Sequence, residues 1–233
     1  MSNVIGLGGF SGSGKSSSLA TLDPQETFII SCTPKQLSIP GFRKNYHKLV
    51  IDKETKTVSG NWYFSNKFDQ VNKILDIVNN KMPNIKVLVI DDSNYLLSDE
   101  LMSRALEKGY DKHSELAMHY YSLIMKAMTM RDDLTLVFIS HIVNDGTDMD
   151  PRYKLFTTGK LLDRSVNIDG LFNYLLYAEK IIGNDDSISY KFRTRSLGPD
   201  TCRCPSGCFE DLYIEPDMKA VIDTINKFEN GDE

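Results

Sequence analysis

The chain has 233 residues, 41% of them hydrophobic and 25% charged, which fits one generous globular domain and excludes a disordered or fibrous chain. A net charge of −5 speaks against a simple, tightly DNA-binding basic module, although a basic channel in an oligomer stays compatible with it. No apolar run approaches the roughly 20 residues that span a bilayer, and the first residues read straight into a strand without a basic leader or cleavage site, so a cytoplasmic protein with no membrane contact is expected.

Apolar runs alternate with helical patterns along the chain, which predicts an α/β fold: a mostly parallel central sheet flanked by helices, in a single domain over residues 1–233 with a loose tail at 230–233. Residues 4–8 read as the first strand and 15–22 as the helix after it, stopped by Asp23-Pro24. Residues 27–32 are a second buried strand. Residues 33–60 look irregular, with a hairpin between 48–52 and 55–59. Phe68, Val71, Ile74, Leu75 and Val78 recur on one face of a helix over 67–80, which Pro83 stops. The run 87–90 is a strand buried on both faces. Helices are expected over 98–108 and 114–131, and a buried strand over 134–139. Residues 144–151 read as a mobile polar loop. Residues 171–182 and 187–195 form an antiparallel hairpin at the sheet edge, turning at Gly183-Asn184-Asp185-Asp186, and a closing helix covers 217–229.

The strongest chemical signal is Gly9-Phe10-Ser11-Gly12-Ser13-Gly14-Lys15-Ser16, a full match to G-x-x-x-x-G-K-[ST], with Ser17 continuing into the helix. Its place between a strand and a helix is what the chemistry requires. Glycines let the backbone curl so that its N–H groups face phosphate oxygens, and the helix start adds partial positive charge. Lys15 then reaches the β- and γ-phosphates, and Ser16 offers its hydroxyl to Mg²⁺. Lys86-Val87-Leu88-Val89-Ile90-Asp91-Asp92 has the Walker B form, an apolar strand ending in an acid. Asp91 would hold Mg²⁺ through a water, and Asp92 would polarise the attacking water or cap the next turn. Glu100, Glu107 and Glu115 are further candidates for the base, with Asp92 preferred.

Ser140-His141 closes the next apolar strand, and carboxyl ends of parallel strands converge on a ligand, so His141 is placed to sense a γ-phosphate. Arg193 and Arg195 lie two apart on a strand, hence on one face, which suits an arginine finger or a solvated edge. Arg152, Tyr153, Lys154 and Lys160 lie where a polar loop could meet DNA phosphates and bases, with Phe156 a further stacking candidate; a plain surface loop is the alternative. Cys202, Cys204 and Cys208 are compact, but zinc would need a fourth ligand from Cys32, His141 or another chain. Free thiols in a surface loop are expected instead, and disulfides are not expected in a reducing compartment.

With these elements in place, the chain resembles the RecA-like ATP-binding proteins of tailed bacteriophages, related to RecA-like single-strand annealing ATPases. The resemblance rests on Thr27-Phe28-Ile29-Ile30 leading to Lys35-Gln36-Leu37-Ser38-Ile39-Pro40-Gly41 and on Ile90-Asp91-Asp92-Ser93-Asn94-Tyr95. It continues in Met102-Ser103-Arg104-Ala105, Lys108-Gly109-Tyr110-Asp111-Lys112, Thr158-Gly159-Lys160, Gly170-Leu171-Phe172, Phe192-Arg193-Thr194 and Phe209-Glu210. It implies a RecA-like P-loop NTPase core, ATP and Mg²⁺ as ligands, a homo-oligomer in ring or filament form, and Mg-dependent ATP hydrolysis. The implied role is in phage DNA recombination, single-strand annealing or repair, with single-stranded DNA as partner. Such proteins carry a catalytic glutamate after the second strand, where this chain has Ser31-Cys32-Thr33. Two other functions fit the same P-loop. One is a replication accessory, a helicase-like motor or loader driven by a replication or single-strand-binding protein. The other is a nucleotide kinase, for which the arginines do not cluster as a lid requires.

Overall fold

The computed structural model describes residues 2–109, 111–158 and 166–231. Among them, nine strands join one sheet in the order β11-β10-β9-β1-β7-β6-β2-β5, with β8 paired to β7 off that path. Six of these run parallel: β1 (Asn3–Gly9), β2 (Thr27–Ser31), β5 (Trp62–Phe64), β6 (Val87–Asp91), β7 (Thr135–Asn144) and β9 (Tyr174–Ile182). The antiparallel additions are β8 (Tyr153–Leu155), β10 (Ile188–Arg193) and β11 (Tyr213–Ile214). A separate hairpin joins β3 (Val50–Ile51) to β4 (Val58–Ser59), as the sequence pattern predicts.

Strand residues alternate between two apolar cores because successive side chains point to opposite faces. Phe28, Ile30, Leu88, Ile90, Leu136 and Phe138 face α2 (Phe68–Lys81) and α4 (Asp111–Met128), whose Val71, Leu75, Tyr120 and Leu123 are buried against them. Ile29, Val89, Val137, Ile139 and Leu176 face the other way, toward α1 (Phe42–Asn45) and α5 (Met218–Asn230). α5 buries Met218, Val221, Ile222 and Ile225, the i, i+3, i+4, i+7 stripe of an amphipathic helix. Burial of each such side chain stabilises by roughly 1.5–3 kcal/mol relative to exposure. The Asp217 carboxylate accepts from the Ala220 N–H at 2.9 Å to cap the start of α5, and Gly231, at φ 71°, caps its end.

Several boundaries differ from the sequence expectation, each for a local reason. After the glycine-rich loop the chain makes a six-residue 3-10 helix, Ser16–Thr21, in place of an α-helix. The Ser18 hydroxyl donates to the Lys15 carbonyl at 2.6 Å and the Thr21 hydroxyl to the Ser18 carbonyl at 3.1 Å, bonds that tighten the turn. α3 spans Asn94–Ser103, starting four residues before the expected 98, because Asp92 takes a left-handed φ of 58° and reverses the chain at once. β7 runs on past His141 to Asn144, carried by its pairing with β8, so the expected loose loop is the turn of a hairpin. β10 is not the sheet edge, since β11 pairs outside it. β5 lies just past the stretch 33–60 that reads as irregular, where the sequence pattern predicts no element.

Candidate functional site

Four strands, β1, β2, β6 and β7, lead at their carboxyl ends into one cleft. β1 ends at Gly9, beside His141 of β7 on one side and Ala178 of β9 on the other. A Cβ on Gly9 would fall 2.6 Å from the Ser13 hydroxyl and 2.7 Å from the Ala178 carbonyl oxygen, so only glycine fits where the loop folds back. Gly12 and Gly14 hold φ of 75° and 90°, conformations other residues adopt at a cost. Gly14 at positive φ is followed by Lys15 in the right-handed region, the kind of alternation that makes a backbone concavity suited to anions.

Lys15 is buried, and its Nζ donates to the Gly9 and Phe10 carbonyls at 2.7 and 2.8 Å. Burial pulls its pKa down to about 8, against the opposing pull of Asp92 and Asp91. Asp91 comes from the end of β6, whose register sets it opposite Ser31 of β2. The Ser16 hydroxyl donates to the Asp91 carboxylate, at 3.0 Å to Oδ1 and 3.3 Å to Oδ2. Asp91 is 1% exposed, and burial, then the neighbouring Asp92 carboxylate, pushes its pKa up to about 7. A hydroxyl and a carboxylate meeting in a closed site are hard oxygen donors of the kind Mg²⁺ takes alongside phosphate oxygens and water.

Asp92 is buried and closely attended. Its Oδ2 lies 2.5 Å from Lys35 Nζ and 3.2 Å from the Thr33 hydroxyl that donates to it. Its Oδ1 lies 3.6 Å from His141 Nε2. The His141 backbone N–H donates to Asn94 Oδ1 at 3.1 Å, which fixes the strand against α3. Burial, and then Lys15, pull the His141 pKa below its usual value, so the imidazole is neutral at pH 7. Residues 11–17 with Lys35, Gln36, Asp92 and His141 line a cleft of about 230 Å³. A roomier hollow of about 400 Å³ lies at the amino ends of the strands, around Asn3, Thr27 and Lys86. Parallel sheets bind ligands at the opposite end, where the glycine loop, the lysines and the paired acids converge.

The structure therefore gathers Gly9, Phe10, Ser11, Gly12, Ser13, Gly14, Lys15, Ser16 and Ser17 with Asp91, Asp92 and His141. It parts the two arginines. Arg193 is 4% exposed, donates to Glu179 Oε1 at 2.6 Å and Asp200 Oδ2 at 2.9 Å, and lies over the Tyr177 ring. Arg195 is exposed and donates to the Glu210 carbonyl at 2.7 Å. Glu100, Glu107 and Glu115 are ion-paired to Arg104 on the α3–α4 side, away from the cleft lining.

Tyr153 and Lys154 lie in β8 rather than in a loose loop. Tyr153 meets Phe10 edge-on at 5.8 Å, Lys154 pairs with Asp145, and Arg152 pairs with Asp150. Lys160 lies outside the described residues. The cysteines are not surface thiols: Cys202 belongs to the core on one face of the sheet and Cys208 to the core on the other. Burial pushes their thiols up to about 12 and about 11, so they stay protonated.

Sequence reasoning missed Thr33 and Lys35 as site residues. One available signal was position: both follow β2, the strand beside β6, at the carboxyl end of the sheet. No protein-family model matches the chain, and no curated protein matches it.

Proposed function

We propose that this protein is a Mg²⁺-dependent nucleoside triphosphatase with a RecA-type core, using ATP and acting on single-stranded DNA in recombination, annealing or repair. The observation that carries the nucleotide reading is the contact of Ser16 Oγ with Asp91 at 3.0 Å, beside the buried Lys15, at the mouth of the glycine loop. In this reading the loop N–H groups and Lys15 cradle the phosphates, Ser16 and Asp91 hold Mg²⁺, and Asp92 orients the attacking water. Mg²⁺ supplies charge neutralisation on the phosphate oxygens. The RecA-type assignment is supported by the strand order, in which β7 stands between the strand of the loop and the strand of the acid. That order sets His141 between the phosphate site and Asp92, where a neutral imidazole can hydrogen-bond to a phosphate or a water.

The test of the nucleotide reading is steady-state hydrolysis with Mg²⁺ by the wild type and by Lys15→Ala. Turnover should be abolished in the variant, and wild-type rates in Lys15→Ala would overturn the site. The DNA role is tested by adding single-stranded DNA at low and moderate salt. Stimulation that fades with salt supports it.

A second reading is a replication accessory driven by a protein partner. It is favoured by the net charge of −5 and by the pairing of Arg152 and Lys154 with Asp150 and Asp145, which leaves less positive charge on that hairpin for phosphates. Nucleotide turnover without any response to DNA would select it.

A further inference from the structure

Lys35 occupies an unusual place. Its side chain is 57% exposed, yet its ammonium lies 2.5 Å from Oδ2 of a carboxylate that is 3% exposed. The same lysine lines the cleft formed by the glycine loop. Asp92 has no freedom of its own: it sits at the two-residue turn between β6 and α3, at a φ of 58°. Lys35 does have freedom. It is a compact cation with three donors on a flexible four-carbon stem, reaching in from solvent. Of the residues lining the cleft, the cations are Lys15 and Lys35. Lys15 is already enclosed by the loop carbonyls, and Arg193 is held by Glu179 and Asp200. Lys35 is thus the cation in the cleft able to change partners.

We propose that Lys35 senses the terminal phosphoryl group of the bound nucleotide. It pairs with Asp92 when the cleft is empty or holds a diphosphate. It moves to an oxygen of the terminal phosphate when a triphosphate is bound, and so uncovers Asp92 Oδ2 to hold the attacking water. The charge that an arginine from a neighbouring subunit would supply is then present within the chain. This inference rests on the nucleotide reading above.

The test compares binding of Mg²⁺-ADP and of a Mg²⁺-bound β,γ-imido triphosphate by calorimetry, in the wild type, Lys35→Met, Lys35→Arg and Asp92→Asn. A charge-assisted hydrogen bond is worth enough that Lys35→Met should weaken the triphosphate analogue by about tenfold or more. ADP affinity should change by no more than about twofold, since that contact is absent with a diphosphate. Lys35→Arg should keep part of the preference for triphosphate. Asp92→Asn should tighten the triphosphate analogue, because the competing carboxylate charge is gone, while single-turnover hydrolysis collapses. Equal weakening of both nucleotides by Lys35→Met, or no weakening of either, overturns the sensor and leaves Lys35 as a partner of Asp92 alone. In both of those outcomes the wild type still binds nucleotide, so the nucleotide reading survives. A wild type that binds neither nucleotide overturns both.

Discussion

Replacing Asp91 by asparagine keeps the shape of the side chain and an acceptor for the Ser16 hydroxyl, and removes a charge from a site that is 1% exposed. Burial and the Asp92 carboxylate push the Asp91 pKa up to about 7, whereas an unfolded chain holds an aspartate near 4. A difference of roughly three units, at 1.36 kcal/mol each, corresponds to about 4 kcal/mol of destabilisation in the empty fold above pH 7. The sign follows from proton counting. As pH rises from about 4 to about 7, the unfolded chain has released this proton and the folded chain still holds it. The unfolded state then binds fewer protons, so stability falls with rising pH across that window. Asp91→Asn should therefore be more stable than the wild type by roughly 2–4 kcal/mol near pH 8, and by little near pH 4. Urea unfolding without nucleotide or Mg²⁺ measures this as a shift in midpoint at constant slope. The same variant should lose Mg²⁺-dependent triphosphate binding, so stability and binding move in opposite directions. A variant no more stable than the wild type near pH 8, or a gain that does not change with pH, would refute the reasoning.

Two further substitutions test the framework around the cleft. Arg193→Met leaves Glu179 and Asp200 without their buried partner and should destabilise by about 3–5 kcal/mol in chemical unfolding; a loss under 1 kcal/mol would mean that the pair is not structural. Ile225→Ala opens a cavity where α5 meets the sheet and should lower stability by roughly 2–4 kcal/mol. Its nucleotide affinity should hold at temperatures where it stays folded, because α5 contributes no residue to the cleft lining.

The readable parts of the sequence are those where chemistry and periodicity are local. The glycine loop announces itself because Gly9, Gly12, Gly14, Lys15 and Ser16 are needed at fixed offsets, and Asp91 because an apolar strand ends on it. The α2 stripe from Phe68 to Val78 is buried as its spacing predicts. What stayed hidden depends on partners distant in the chain. β7 extends through polar Ser140 and His141 because β1 pairs with both, and past them to Asn144 because β8, nine or more residues on, pairs with its end. β5 exists because β2 offers it an edge, not because Trp62-Tyr63-Phe64 reads as a strand against its neighbours. α3 starts early because Asp92 adopts a left-handed conformation, which aspartate tolerates better than most residues but takes only in a minority of places, so its identity alone is a weak signal. Lys35 is the clearest case. It follows a strand and falls in a stretch that carries the family resemblance, but its place in the site comes from β2 lying beside β6. Arg193 is the converse: its spacing from Arg195 suggests a shared exposed face, while Glu179 on the neighbouring strand and Asp200 in the following loop draw it inside.

The cleft brings two opposed electrostatic strains into one place. Lys15 has its charged form disfavoured chiefly by burial, and Asp91 has its charged form disfavoured by burial and by Asp92. An anion alone relieves the lysine and aggravates the acids. A divalent cation alone relieves the acids and aggravates the lysine. A nucleotide that carries its own Mg²⁺ relieves both at once, since each charge arrives with its complement. Binding should therefore be synergistic. Thermal unfolding of the wild type with Mg²⁺ alone, with ATP and a chelator, and with both together should show a combined stabilisation larger than the sum of the separate ones, by the linkage of ligand to the folded state. In Asp91→Asn the Mg²⁺ arm of that synergy should disappear while any weak effect of chelated ATP persists. Strictly additive shifts in the wild type would mean that the lysine and the acids do not share one ligand, and would separate the glycine loop from the Asp91 site as functional units.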